Sequence, residues 1–309
     1  MACMAGMLAL VPLMSVLWAL TAVLLVLGMA EGTLDVGGNT LLVWVHGRNV
    51  GPFMNGLHFF FGVGAFLSPI IIAQAVLMSG DITWAYWVLA VLMVPVAVWV
   101  LRSSSPPAQT VSRDASEGRH GPLLVLLIAV FFFTFVGAEL GFRGWIYTYA
   151  ITVDLGDKTS AAYLTSAFWG ALTLGRLLAI PLAARLRPGA MLLGDLVGCL
   201  ASVGVILVWS HSLVAIWLGT AGFGLSMASM FPTCLNFAER LMTITGKVTS
   251  WFLIGGSAGS MSLPWLIGQW FESVGPRVTM ITILMDMVVA AGLFTVLMLY
   301  TTRPVIHRT

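Results

Sequence analysis

The chain has 309 residues, of which 59% are hydrophobic and 8% are charged, and its mean hydropathy is +1.00. Such a composition cannot be arranged around one soluble core, so it predicts an integral membrane protein. The formal net charge of +2 is too small to indicate a nucleic-acid partner. The cysteines lie scattered in apolar segments without metal-ligand spacing, and we interpret them as reduced packing residues: Cys3, Cys199 and Cys234.

Apolar runs separated by short polar breaks follow one another along the whole chain. A helix needs roughly 20 mostly apolar residues to cross the hydrocarbon core of a bilayer. The sequence therefore predicts an all-α polytopic membrane protein with nine full transmembrane helices, at residues 15–45, 53–77, 83–102, 122–151, 159–187, 189–210, 213–238, 246–272 and 275–302.

The first apolar run, residues 1–12, is too short to be a tenth span. As a helix it would reach only about 18 Å, so we expect it to be the end of a helix that begins upstream. A secretory signal is the alternative, but the run lacks a basic leader and a small-residue cleavage site.

Basic residues indicate the orientation of the chain, because Lys and Arg accumulate in cytoplasmic loops. Ten of the fourteen fall in loops on one side, two fall on the other, and Arg143 and Arg176 lie inside spans. This bias predicts a cytoplasmic C-terminus and a cytoplasmic loop at 103–121, whose Ser, Pro and charged residues are typical of a linker. The loop divides an incomplete helix bundle, 1–102, from a six-helix bundle, 122–309.

A repeat explains why three spans precede the loop and six follow it. Residues 51–69 align with residues 246–264 at a constant offset of 195, and the alignment pairs Gly51 with Gly246, Gly64 with Gly259, and Pro69 with Pro264. The second and third spans then correspond to the last two helices of a six-helix half. On this interpretation, two and a half helices of the first half are missing at the N-terminus.

Two six-helix halves joined by a long cytoplasmic loop resemble the major facilitator superfamily. LDVGGNTLL and NGLHFFFGVGAFLSP resemble the fourth and fifth helices of its sugar-transporting branch, which contains the fucose:proton symporters and the sodium-dependent glucose transporter type. VGAELGFRGWIYTYA and GRLLAIPLAARLRP resemble the seventh and eighth helices of that branch. The six-residue cytoplasmic signature of the family would lie in the region that this chain lacks.

Three polar residues, Glu31, Asp35 and Asn39, are spaced four apart in an apolar run that contains no Lys or Arg. On a helix they share one face, and carboxylates at bilayer depth usually face a cavity or a partner. The resemblance implies that Asp35 and Asn39 belong to a sugar and proton site, whereas Glu31 has no such support. Hydrogen bonding for helix packing alone is the alternative for both carboxylates.

Glu139 and Arg143 have the same four-residue spacing and can neutralise each other inside the membrane. A structural ion pair is one interpretation. The other is that Glu139 binds sugar hydroxyls or a coupling cation, beside the aromatic rings of Trp145, Tyr147 and Tyr149. Those rings also fit an aromatic belt at the outer membrane surface, which we expect for Tyr149.

The remaining intramembrane polar residues have candidate roles of several kinds. His58 fits either a proton-sharing site with Asp35 or Asn39 or a structural hydrogen bond. Arg176 is expected to be a structural cation paired with Asp195. Asn236 and Thr233 are cavity candidates because Pro232 kinks their helix. Asp286 has no evident partner in the sequence.

An enzyme is not expected. GGSAG at 255–259 fits the G-x-S-x-G pattern of serine nucleophiles, but neither a strand-to-helix elbow nor a facing histidine is visible. The same residues fit a G-x-x-x-G helix-packing face, as do 137–141 and 194–198, and we favour packing. No loop that could cradle phosphates is recognisable, which argues against transport driven by ATP.

We therefore expect a multi-pass secondary transporter in the plasma membrane that moves a small sugar, a hexose such as glucose or fucose, by alternating access. The expected partners are the sugar and the bilayer, with H⁺ or Na⁺ as coupling ion and no cofactor or metal. The alternatives are a carrier for another small polar solute and a truncated, non-transporting protein that binds a ligand or assembles with a partner. The sequence does not indicate the oligomeric state, the ion or the direction of transport.

Overall fold

The computed structural model describes residues 1–46, 50–103, 121–183, 185–242 and 246–302. Within these ranges the chain folds into α-helices and one short 3₁₀ turn, Val11–Leu13. The helices are α1 Ala2–Leu10, α2 Leu17–His46, α3 Val50–Ser79, α4 Ile82–Arg102, α5 Pro122–Thr152, α6 Lys158–Ala183, α7 Pro188–Val208, α8 Leu213–Met227, α9 Met230–Glu239, α10 Gly246–Val274 and α11 Arg277–Thr302.

Each of the nine predicted spans coincides with helix, which confirms the all-α fold. In the described part of the chain, eight helical segments are long and apolar enough to cross a membrane. Residues 246–272, the other predicted span, form the 29-residue helix α10. The Gly, Ser and Trp residues of α10 lower its mean hydropathy, so its assignment as a span rests on its length and its packing rather than on apolar composition.

The span predicted at 213–238 consists of two helices, α8 and α9, separated at Ala228 and Ser229. Pro232 lies one turn beyond this break. Proline has no N–H, so the carbonyl of Ala228 loses the hydrogen bond that residue 232 would otherwise donate to it. The sequence predicted a kink at Pro232, and the structure has an interruption of the helix one turn before it.

The repeat extends beyond the window in which the sequence revealed it. The offset of 195 also relates the first residues of α4 and α11, Ile82 and Arg277. Gly80 and Gly275, again 195 apart, end α3 and α10 with positive φ values of 74° and 100°. Each donates its N–H to the carbonyl four residues earlier, as is typical of a glycine that terminates a helix. These helix pairs are therefore equivalent in local structure as well as in sequence.

The chain divides into two compact units, Met1–Arg113 and Asp114–Thr309. The boundary falls inside the segment 103–121 that the sequence predicts as a linker. In the first unit, α1 packs on α2 and α4, and α3 packs on α4. The Trp87 indole donates a hydrogen bond of 3.3 Å from α4 to the Ala9 carbonyl of α1. The apolar residues buried among the described part of this unit are five alanines and Val11.

The second unit has a core of aromatic side chains between α5, α6, α8 and α10. Phe142 stacks on Phe223 with ring centroids 4.3 Å apart, and Phe132 stacks on Phe252 at 5.4 Å. The pairs α5 with α10, α6 with α8, α7 with α8, and α5 with α11 pack most extensively. This bundle holds the arginines that the sequence places inside spans, Arg143 and Arg176, together with Glu139 and Asp195.

Glycines of α10 allow it to lie against the backbone of α5. A Cβ atom at Gly255 would overlap the Ala129 carbonyl, and one at Gly259 would overlap the Phe133 carbonyl. On α5, a Cβ at Gly137 would lie 3.1 Å from the Gly259 carbonyl oxygen. The 255–259 motif is therefore a helix-packing face within a continuous helix, as predicted, and does not form a nucleophile elbow.

Candidate functional site

A cluster of charged side chains lies inside the second unit, where α5 and α6 meet. Glu139 and Arg143 occupy one face of α5, one turn apart, and both are half-buried. Arg143 and, from α6, Arg176 lie within electrostatic range of the Glu139 carboxylate. Two guanidinium groups on neighbouring helices therefore act on one carboxylate.

Arg143 is held by an aromatic ring as well as by charge. Its guanidinium carbon lies 4.7 Å from the centroid of the Trp169 ring on α6. A guanidinium over an indole face is a favourable cation–π arrangement, and it is stronger where water is excluded. Trp169 and Arg176 are seven residues apart, so α6 presents both to α5 from one face.

A close crossing of α6 and α8 determines where Arg176 lies. A Cβ atom at the preceding residue, Gly175, would lie 2.6 Å from the Ala228 Cβ and 2.8 Å from the Leu225 carbonyl oxygen. A Cβ at Gly224 of α8 would likewise lie 2.6 Å from the Phe168 carbonyl oxygen. Small residues let these helices touch along their backbones, which places Arg176 next to the break between α8 and α9.

The second acidic residue of the cluster, Asp195 on α7, accepts a hydrogen bond of 2.5 Å from the Ser229 hydroxyl. Ser229 lies at the break between α8 and α9, so this bond ties α7 to the interruption. The thiol of Cys199 is within electrostatic range of both Asp195 and Glu139. Arg176 interacts electrostatically with Glu139, whereas Asp195 bonds to Ser229. The expected pairing of Arg176 with Asp195 stays a prediction.

Together these residues form a charge network in which Glu139 interacts with Arg143 and Arg176, and Cys199 lies within range of both Glu139 and Asp195. Burying such groups is favourable only when each charge has partners. Neutralising one carboxylate, by a proton or by a bound cation, would leave a guanidinium free to donate elsewhere. A change of charge at Glu139 would therefore act on side chains of both α5 and α6.

Trp145 connects α5 to α10. Its indole donates a hydrogen bond of 3.1 Å to the Pro264 carbonyl, and its ring lies 4.9 Å from that of Phe271. Tyr149, one turn further on, is fully buried. The prediction that Tyr149 belongs to an aromatic belt is therefore wrong, because its side chain packs inside the bundle. Tyr147 points outward and is 36% exposed.

In the first unit, α2 places Glu31 and Asp35 on one face, as the spacing predicts. Both side chains are exposed. Two further candidates, Asn39 and His58, occupy positions in α2 and α3, but their side chains lie outside the described residues. Their predicted contacts with Asp35 therefore stay predictions.

Two other candidates in the second unit lie apart from the charge network. Asn236 of α9 is exposed, whereas Thr233 is buried. Asp286 lies midway along α11 and is half-buried, and its Oδ2 atom has no hydrogen-bond partner within the part of the chain that the structure describes.

Sequence reasoning missed Ser229 and Trp169 as members of the network. Ser229 has a signal in hindsight, since it lies three residues before Pro232, where a broken helix exposes backbone and side-chain polar groups. Trp169 has a weaker signal, its seven-residue spacing from Arg176, because one aromatic residue at helical spacing is most often part of a core.

Comparisons with known proteins agree with this architecture. Sodium-dependent glucose transporter 1 of Xenopus laevis is 33% identical over 310 residues, which cover 90% of this chain and 63% of that protein. The human protein of the same name is 31% identical over 297 residues, covering 84% of this chain and 57% of the relative. The chain thus spans about three fifths of the length of these curated relatives.

A solved structure has the same fold. The crystal structure of FucP, described as a transporter of the Major Facilitator Superfamily in the outward conformation, matches with a TM-score of 0.62 over 98% of this chain and 81% of FucP. The sequence identity of 16% limits this likeness to the fold. Residues 1–264 match the profile of the Major Facilitator Superfamily, and the chain belongs to that superfamily.

Proposed function

We propose that the chain is a secondary active transporter of a small sugar, a hexose, driven by a gradient of H⁺ or Na⁺. The observation that carries the proposal is the half-buried carboxylate of Glu139 in a helix bundle, within electrostatic range of Arg143 and Arg176. Intramembrane carboxylates are costly, and in transporters they mark ion or substrate sites. The names of the relatives, sodium-dependent glucose transporters, support sugar and a coupling cation.

Glu139 is suited to coupling because its partners are cations. A proton or Na⁺ at Glu139 would cancel the charge that attracts Arg143 and Arg176. The released guanidinium groups would then donate hydrogen bonds to other acceptors, and sugar hydroxyls are acceptors of the required kind. Occupancy of Glu139 by a cation would in this way favour binding of the sugar.

Asp35 has a separate part in the proposal. It is an exposed carboxylate on the face of α2 that also bears Glu31. An exposed carboxylate at membrane depth can exchange a cation with water. We assign cation exchange to Asp35 and the release of guanidinium groups to Glu139.

The test is sugar uptake into proteoliposomes that contain the full chain, with an imposed H⁺ or Na⁺ gradient. Asp35→Asn should abolish uphill accumulation of radiolabelled hexose while leaving exchange of internal for external sugar. Glu139→Gln should weaken both processes, because it changes the hydrogen bonding of Arg143 and Arg176. Glu239→Gln removes an exposed carboxylate at the end of α9 and should leave uptake unchanged.

Uphill accumulation by Asp35→Asn would show that Asp35 is not the coupling site. If the wild-type chain binds hexose but takes up none under either gradient, the result would favour a binding protein instead of a transporter. Dependence on only one of the two gradients identifies the ion.

A further inference from the structure

A cavity of about 590 Å³ opens between the ends of α7, α9 and α11, away from the charge network. All of its lining residues belong to the second unit. None of the residues assigned to sugar or cation coupling lines it. The cavity is therefore a separate feature for which the proposed function has no use.

Two arginines lie at the rim of this cavity. Arg187 is the residue immediately before α7, and Arg240 is the residue immediately after α9, and both are exposed. The described residues that line the cavity include no Asp or Glu. Glu239, the neighbour of Arg240 in sequence, is not part of the lining. The rim therefore favours an anion, and paired guanidinium groups suit a phosphate in particular.

Apart from the arginines and Thr295, the lining side chains are apolar. Phe237 and Phe294 are buried, and Leu193 of α7 is 54% exposed. Gly189 leaves room next to Met298, whose sulfur would lie 3.3 Å from a Cβ atom at that position. From Arg187 to Leu193 the lining extends about 9 Å along α7. The lining therefore combines two exposed guanidinium groups with an apolar groove.

The position of the cavity relative to the bilayer indicates what could occupy it. It lies at the helix ends where the basic residues of the chain accumulate, which the positive-inside rule assigns to the cytoplasmic leaflet. That leaflet holds the anionic phospholipids, and basic pockets between transmembrane helices bind their head groups. An acyl chain fits the apolar groove, whereas a free phosphate ion would leave it without a partner.

We propose that this cavity binds one anionic phospholipid of the cytoplasmic leaflet, with its phosphate on Arg187 and Arg240 and an acyl chain against Leu193, Phe237 and Phe294. The C-terminal segment, residues 303–309, is an alternative occupant. It contains two arginines and a histidine and no acidic side chain. Two rim arginines would repel such a segment, so charge favours the lipid.

Native mass spectrometry of the full chain in detergent tests the proposal, with phosphatidylserine and phosphatidylcholine as probes. The wild type should retain phosphatidylserine in preference to phosphatidylcholine. A basic residue near a membrane surface contributes enough to change binding about fivefold, so R187Q/R240Q should weaken phosphatidylserine binding about 25-fold. Arg185→Gln removes a nearby exposed arginine that does not line the cavity, and should change binding less than about twofold.

A second variant separates the groove from the charges. Thr295 lines the cavity, and its hydroxyl bonds to the Ala291 carbonyl of its own helix at 2.8 Å. Thr295→Phe would fill the groove without changing any charge, and should displace the lipid while both arginines remain. If this variant and the wild type have the same midpoint temperature of unfolding, the loss of lipid binding is not caused by a loss of folding.

Three outcomes would overturn the proposal. If R187Q/R240Q binds phosphatidylserine as well as the wild type does, the two arginines do not contribute to the site. Displacement of the lipid by inorganic phosphate at equal concentration would mean that the cavity binds a free anion. Stronger lipid binding after truncation at residue 302 would identify the C-terminal segment as the normal occupant.

Discussion

The close contact between α5 and α10 predicts that replacing Gly259 by alanine destabilises the second unit. A Cβ atom at Gly259 would overlap the Phe133 carbonyl oxygen and would lie 2.8 Å from the carbonyl carbon and 3.0 Å from the Cα atom. Ordinary contacts between carbon atoms are about 3.5–4.0 Å. Gly259→Ala therefore requires the two helices to separate by roughly 1 Å, since backbone cannot rotate away as a side chain can.

The size of the effect follows from two opposed contributions. Overpacking costs about 1–3 kcal/mol, and a backbone clash should lie at the upper end, at about 3 kcal/mol. Alanine is the better helix former by about 1 kcal/mol, so the net loss in the free energy of unfolding is about 2 kcal/mol. Gly292→Ala on α11 is the matched control, because its Cβ would meet nothing within 4 Å. That variant should gain up to about 1 kcal/mol.

The unfolding of the second unit can be measured through its buried thiols. Cys199 and Cys234 are buried in the same unit, whereas Cys3 is exposed. In a Cys3→Ser background, a fluorogenic maleimide should report unfolding as the two buried thiols become reactive. For a unit of this size about 2 kcal/mol lowers the midpoint by about 4–8 °C. If Gly259→Ala unfolds at the same temperature as Gly292→Ala, α5 and α10 do not pack through this glycine.

The same assay tests two further contacts. Ser229→Ala removes the hydroxyl that donates to Asp195, and should cost about 1.5–3 kcal/mol because the acceptor is charged. Ser202→Ala, whose hydroxyl bonds within its own helix, should cost less, and equal midpoints for both variants would contradict the contact. At the start of α6, hydrogen bonds from the Ser160 hydroxyl and backbone N–H hold the pKa of Asp157 below its usual 3.8. This stabilisation is present above 3.8 and is lost as pH falls through the lowered pKa. The Asp157→Asn variant should therefore unfold at a lower temperature than the wild type at pH 7, and at the same temperature in strong acid. A difference in unfolding temperature that persists in strong acid would refute the assignment.

The helices could be predicted from sequence because each span is a local property. About 20 apolar residues in a row must form a helix in a bilayer, where every backbone polar group needs an internal partner. The packing role of 255–259 could also be predicted from sequence. Gly255 and Gly259 lie one turn apart, so they form a flat face against which another helix can pack. The break before Pro232 follows from one missing N–H.

Contacts between distant helices could not be predicted in the same way. The pair of Glu139 and Arg143 is visible as an i,i+4 spacing, but the contribution of Arg176 depends on the crossing of α6 and α8 at Gly175. Asp195 and Ser229 are 34 residues apart, and no periodicity relates them. Tyr149 resembles an interfacial residue by its position near a helix end, yet the rotation of α5 turns it into the bundle.

The sequence by itself determined that this protein is a helical membrane protein, where its spans lie, and which charged residues are inside them. These properties depend on the energy of transferring each segment into a bilayer, which neighbouring segments hardly change. Only the tertiary structure decided which charge balances which and where an apolar groove meets two arginines. Such partnerships depend on the rotation and crossing of whole helices, which are set by the packing of small residues at a few points and leave no local pattern in the chain.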